Sequence, residues 1–356
     1  MKGKLLQNLS ANTVQLVVNQ AFGLLIFFVL SNGLDKTTFG KINLVLAVLL
    51  AVFNILSCGI DQVVVRKIAS GSNARSLLSV YLFHVVVSGW CFYMLLIFGR
   101  CFAPHWLGFN NLLLLIAIGK AMVFFSTPFK QVAAGLEQFK LLSRMSVISN
   151  IIRGCALLVL SLIHSLTINY VVVVFIIGDV AELLIAIFLF KACFKIPIAI
   201  SKKGYMQLIK ESFPQMGVVV FTSALARFDW IFIGAFVSAI KLAEYSFAYK
   251  IFELSSLPLL AIAPLLVPRF AAIITEGRLP VANLQKLLRL EMVIAALTAL
   301  LLYLCWSPLM DGITAGKYGA VNAKTILILA ACMPLLYFNN FLWSIAFAQG
   351  RLKMIL

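Results

Sequence analysis

Ten long apolar runs follow one another along this chain, at roughly 12–33, 39–58, 77–98, 110–129, 145–163, 168–190, 213–238, 243–267, 287–306 and 324–347. Each is bounded by Gly, Pro, Asn or charge, and each suits a helix crossing a bilayer, for which about 20 residues suffice. Hydrocarbon offers the backbone no hydrogen-bond partner, so runs of this length must satisfy their own amides as helices. With 63% hydrophobic and 12% charged residues, against about 25% charged in soluble domains, a water-soluble fold is excluded. The expected class is all-α, a polytopic transmembrane helix bundle.

The first run follows Lys2 and Lys4, exceeds a signal-peptide core and lacks an A-x-A cleavage site, so it reads as a retained helix. The seven cysteines are scattered without C-x-x-C spacing or clustered histidines, which indicates neither a disulfide framework nor a metal site. A formal charge of +17 could suggest nucleic acid, but no segment between the runs is large enough to carry a basic surface domain. The charge is instead distributed by side. Segments sharing a side with the N-terminus hold nineteen Lys and Arg, Lys130 among them, and the opposite segments hold six. The positive-inside rule then places the N-terminus in the cytoplasm.

The longest connection, 191–212, carries Lys191, Lys195, Lys202, Lys203 and Lys210, with Tyr205, Met206, Leu208 and Ile209 as an interfacial amphipathic face. The outer turn in residues 30–40 is echoed in residues 236–246, where a helix end, a short turn and an aromatic-plus-small pair recur. That spacing divides the chain into a six-helix half at 1–190, the basic linker at 191–212 and a second half at 213–356. Six helices return the chain to the same side, so the halves form a parallel repeat about an axis along the membrane normal, around a central cavity. The second half holds four runs and ends on the apolar Met354, Ile355 and Leu356, which reads as an interrupted chain of an expected twelve helices.

Four segments resemble a known family. They are Leu34-Asp35-Lys36-Thr37-Thr38-Phe39-Gly40, the Gly59 to Arg66 stretch, the Arg-x-Asp of Arg227 and Asp229, and Glu244-Tyr245-Ser246-Phe247-Ala248-Tyr249-Lys250. Together they resemble the polysaccharide-exporting branch of the multidrug, oligosaccharidyl-lipid and polysaccharide exporter superfamily. The resemblance implies a bacterial inner-membrane flippase for polyprenyl-pyrophosphate-linked oligosaccharide, working by alternating access in O-antigen, capsule or exopolysaccharide synthesis. It implies no catalysis and no cofactor. Membrane lipids, the lipid-linked glycan, a coupling H⁺ or Na⁺, and polysaccharide polymerase and assembly proteins are the expected partners.

Charge inside a membrane costs about 3 kcal/mol on insertion scales, so each buried ion needs a partner or a wet cavity. Counting 1.5 Å per residue puts Lys120, Arg153 and Asp179 near mid-membrane, with Arg227 and Asp229 in the outer half at the level of Lys250. One reading is a set of ion pairs: Arg153 with Asp179, Arg227 with Asp229 or Glu253, Lys250 with Glu253. The other is a basic cavity in which Arg227, Lys250, Arg153 and Lys120 hold phosphate, Arg with a planar fork and Lys as a point charge. Arg227 is the one of the four that matches a family position. Asp179 and Glu182 lie on one helix face and suit either coupling-ion binding or charge balance for Arg153. Asp61 and Arg66 suit a gate pair or surface charge.

The polar stripes Asn12, Gln15, Asn19 and Ser146, Asn150, Arg153 suit helix–helix glue or a lined path. An anionic headgroup leaving a negative-inside cell gains about 2.3 kcal/mol per charge per 100 mV, which favours flipping. A drug or cation antiporter of the same superfamily is the alternative, and a non-transporting remnant another. A membrane glycosyltransferase would need a donor-site loop that is absent from the sequence.

Overall fold

The computed structural model describes residues 2–102, 110–193, 201–259, 270 and 281–348. Among them there is no strand, and nine helices are long and apolar enough to cross a membrane. The expected run at 243–267 lies partly outside the described residues. The chain forms two compact units, Met1–Ala243 and Glu244–Leu356.

The first unit contains α1 (Lys2–Gly33), α2 (Lys36–Leu56), α3 (Ile60–Ala69), α4 (Ala74–Phe102), α5 (Asn110–Gly135), α6 (Phe139–Leu162), α7 (Ile168–Cys193) and α8 (Lys202–Phe232). Asp35 starts α2 as its N-cap, accepting from the Thr38 backbone N–H at 2.9 Å. The Thr38 hydroxyl first, then this backbone N–H, hold the Asp35 carboxyl below its usual pKa against the cost of burial. Its far end is broken by Cys58 and Gly59, both in the left-handed region at φ 51° and 71°, so the Gly59–Arg66 stretch forms a separate amphipathic helix instead of ending α2. Ile60, Val63, Val64 and Ile68 recur at helical spacing and bury one face of α3, which packs against α5 and α8.

Two expectations about the linker change. From residue 201 it is helical and continuous with the seventh apolar run, capped by the Ser201 side chain, which accepts from the Gly204 N–H; residues 194–200 lie outside the described residues. Its apolar face is only partly taken up by protein: Leu208 is buried and Tyr205 packs edge-on against Phe83 with its hydroxyl 3.2 Å from His84 Nδ1, while Met206 stays 61% exposed. Lys67 pairs with Glu211 at 2.7 Å, fastening α3 to α8. A π-helical turn, Ile233–Val237, ends α8 before α9 (Ala239–Ser255).

The second unit takes most of α9 together with α10 (Val281–Thr314) and α11 (Ala323–Ala348). Phe247 of α9 stacks on Tyr318 at 4.2 Å and 7°, while the Trp306 indole donates to the Gly319 carbonyl at 2.8 Å. These contacts fix the α10–α11 turn. At the other end Phe270 and Phe341 pack with Leu284, Leu287, Leu288 and Ile345.

Candidate functional site

Five charged side chains of the first unit converge where α5 and α6 meet α7. Asp179, fully buried, takes Lys120 Nζ at 3.0 Å and Arg153 at 3.2 Å. One turn further along α7, Glu182 pairs with Lys130, accepts from the Ser149 hydroxyl and lies 3.7 Å from Arg153. Arg153 also donates to the Ser149 hydroxyl at 2.7 Å and to its carbonyl at 3.2 Å. The Phe175 ring lies 5.6 Å from both the Lys120 ammonium and the Arg153 guanidinium, adding cation–π attraction. Two glycines permit this approach. A Cβ on Gly119 would come 2.8 Å from Asp179 Oδ2, and one on Gly178 would come 2.6 Å from the Arg153 stem.

The expected Arg153–Asp179 pair is therefore present, and Lys120 shares the same acid. Lys130 is not a connection charge: α5 runs through Pro128 to Gly135, which carries Lys130 within reach of Glu182. Three cations face two carboxylates, so the cluster keeps one positive charge. Lys120 is its most accessible member, with 20% of its side chain exposed. The polar stripes act here as glue, since Asn150 donates to Asn19 across α6 and α1 at 2.9 Å.

The other candidates stand apart from this cluster. Arg227 is half-buried, its guanidinium 4.6 Å from the Trp230 ring and donating to the Ala226 carbonyl. Asp229 accepts from the Trp230 backbone N–H at 2.9 Å. In the second unit Lys250 pairs with Glu253 at 2.9 Å, one turn along α9. Asp61 and Arg66 are five residues apart on α3, about 140° around the helix at 3.6 residues per turn, and do not pair with each other.

Burial pushes the Asp61 carboxyl up to about 6, with the nearby Ser57 hydroxyl offsetting part of the rise, and Asp61 Oδ1 has no partner. An acid whose folded pKa is raised binds its proton more tightly folded than unfolded. Stability therefore falls as pH climbs from near 4 to near 6, by at most about 3 kcal/mol. Asp61→Asn should raise the melting temperature of the detergent-solubilised protein at pH 7.5 and leave it unchanged at pH 4. An equal gain at both pH values would contradict a burden from ionisation.

One buried acid escapes depth counting. Glu291 on α10 follows Lys286 and Arg289 at the edge of the expected 287–306 run, so it reads as interfacial charge, yet it is 1% exposed and neither carboxylate oxygen has a partner.

The nine long apolar helices define a multi-pass membrane protein, and its fold is that of MOP-superfamily transporters. It is similar to an inward-facing multidrug resistance MATE family transporter of that superfamily, at 14% identity over 95% of this chain and 84% of that one, with a TM-score of 0.64. The Vibrio cholerae MATE transporter VcmN, in a form carrying one Asp-to-Asn substitution, is similar at 13% identity over 98% of this chain and 84% of that one, with a TM-score of 0.63. No curated protein matches the chain in sequence. Residues 5–274 match the polysaccharide biosynthesis protein family, and the chain belongs to it. The fold is the one seen in these MATE transporters.

Proposed function

We propose that this protein moves polyprenyl-pyrophosphate-linked oligosaccharide from the cytoplasmic to the periplasmic leaflet of a bacterial inner membrane, for polysaccharide assembly. The observation carrying this reading is the excess of buried cations over acids at Lys120, Lys130 and Arg153, in a chain of the polysaccharide biosynthesis family. An anionic pyrophosphate is attracted by such a cluster, whereas a cationic drug is repelled. Lys120 offers it a mobile point charge, and Arg227, held against Trp230, a planar fork. The internal repeat supports two halves, 1–190 and 213–356, that rock about the linker. The bias of Lys and Arg supports a cytoplasmic N-terminus. The second reading, drug or cation antiport, is favoured by the MATE fold of the similar structures.

The test is transfer of a fluorescent polyprenyl-pyrophosphate sugar across vesicles containing the full chain, with efflux of a cationic dye measured in parallel. The expected result is sugar transfer above that of empty vesicles and no dye efflux. Arg227→Ala and Arg227→Lys should each lower transfer at least tenfold at normal folded yield, since Lys keeps the charge but not the paired donors. Dye efflux without sugar transfer establishes the antiporter reading. Full transfer by Arg227→Ala removes Arg227 from the binding site. Impermeant thiol labelling of the same vesicles reads sidedness: Lys317→Cys should label from the periplasmic face and Lys203→Cys should not.

A further inference from the structure

Most acids considered so far have cations or backbone amides against them, and Asp61 has the Ser57 hydroxyl. Among the described residues Glu291 has none of these. It lies on the face of α10 that turns toward α11, continuing the row Leu284, Leu287 and Leu288 that packs on Phe341. The two helices run antiparallel, so one turn further along α10 corresponds to one turn back along α11, where Tyr337 sits. Tyr337 is fully buried, and its hydroxyl, which meets no strict hydrogen-bond geometry, lies near the Thr298 side chain and the Leu259 backbone and within electrostatic range of the Glu291 carboxyl. The amide nitrogen of Asn340, on the same face of α11 as Tyr337, is a third buried polar group without a partner.

We propose that Glu291 is a proton-binding residue of the C-terminal unit, holding one proton in this conformation with Tyr337 and Asn340 as its polar surroundings. An ionised carboxylate sealed among apolar side chains without a counter-ion is too costly to persist, and the neutral acid is the form that fits. Among the described residues no cation faces it: Tyr337 is the titratable group on the facing side of α11, whose one charged residue, Lys324, lies near the opposite end. On α10 itself Lys286 and Arg289 are exposed. A metal cation would need its hydration shell replaced by a set of oxygens, and the described residues here supply one carboxylate among neutral groups, the Tyr337 phenol, the Thr298 hydroxyl and the Asn340 amide.

This assignment rests on the transporter reading for its purpose. A conformation that wets Glu291 would release the proton, coupling the movement of the C-terminal unit to the proton gradient by differential affinity. It goes beyond that reading by naming the ion as H⁺ and the carrier as Glu291, in place of Asp179 and Glu182, whose charges are matched inside the first unit.

Infrared difference spectroscopy of the full chain in vesicles, stepped between neutral and alkaline pH, tests the proposal without any substrate. The C=O stretch of a protonated carboxyl should be present in the parent protein, vanish in Glu291→Gln, and shift in frequency in Tyr337→Phe. Glu291→Gln should fold at normal yield, because the amide reproduces the neutral acid. Identical carboxyl spectra for the parent and Glu291→Gln would overturn the proposal, and so would loss of folded protein in Glu291→Gln. If the band behaves as expected while sugar transfer fails, the proton site stands and the substrate assignment falls.

Discussion

Asp179→Ala is expected to destabilise the first unit by about 3–5 kcal/mol, the range for breaking a buried ion pair by removing one partner. The magnitude follows from what is left behind. Asp179 is fully buried and is shared by Lys120 at 3.0 Å and Arg153 at 3.2 Å. Without it, three cations face Glu182 alone, and Arg153, only 10% exposed, keeps one carboxylate at 3.7 Å. Relief should come from removing a cation: Asp179→Asn combined with Lys120→Met should be more stable than Asp179→Asn alone, a coupling readable in a double-mutant cycle. Thermal unfolding in detergent measures both. If Asp179→Ala melts like the parent, the cluster is not a structural element, and Lys120 and Arg153 are held for another purpose.

That the cluster exists was legible in the sequence; its wiring was not. Counting residues along each run puts Arg153 and Asp179 at one depth, and an intramembrane charge must find an opposite one, so their pairing follows. Depth does not report which way each helix is rotated, however. Lys120 could therefore be taken for a free cation until α5 was seen turned toward α7. Lys130 reads as a connection charge where Pro128 is taken as a helix end, yet α5 continues through that proline. A proline removes one backbone donor, which neighbouring groups in a membrane helix can compensate.

Glu291 carries no such signal: its neighbours Lys286 and Arg289 mark a membrane edge in sequence, but they are exposed and only the acid is buried. Near the end of α2, left-handed Cys58 and Gly59 turn what reads as a helix end into the start of α3. The basic linker was visible as charge, whereas its apolar side, anchored by Tyr205 and Leu208, could be assigned to protein or membrane only once α4 was placed beside it.

Gly40→Ala is expected to be the most damaging single-methyl change in the first unit, costing about 1–3 kcal/mol or more, as overpacking does when backbone must shift. Gly40 is buried in the first turn of α2, and a Cβ there would overlap the backbone carbonyl of Ala239. A carbonyl oxygen cannot swing aside as a side-chain tip can. The contact has a counterpart, since a Cβ on Gly234 would come 2.7 Å from the Leu44 side chain. Gly40 and Ala239 belong to the two turns that echo each other in sequence, around residues 30–40 and 236–246, and there the backbones meet across a bare glycine surface. Gly23→Ala supplies the comparison: nothing lies within 4 Å of a Cβ there, so the change should be neutral or should stabilise α1 by about 0.5–1 kcal/mol. Melting temperatures of the two variants decide the matter. Equal values for both would show that α2 and the residues around Ala239 can separate freely, and that the turn-to-turn contact contributes little to holding the first unit together.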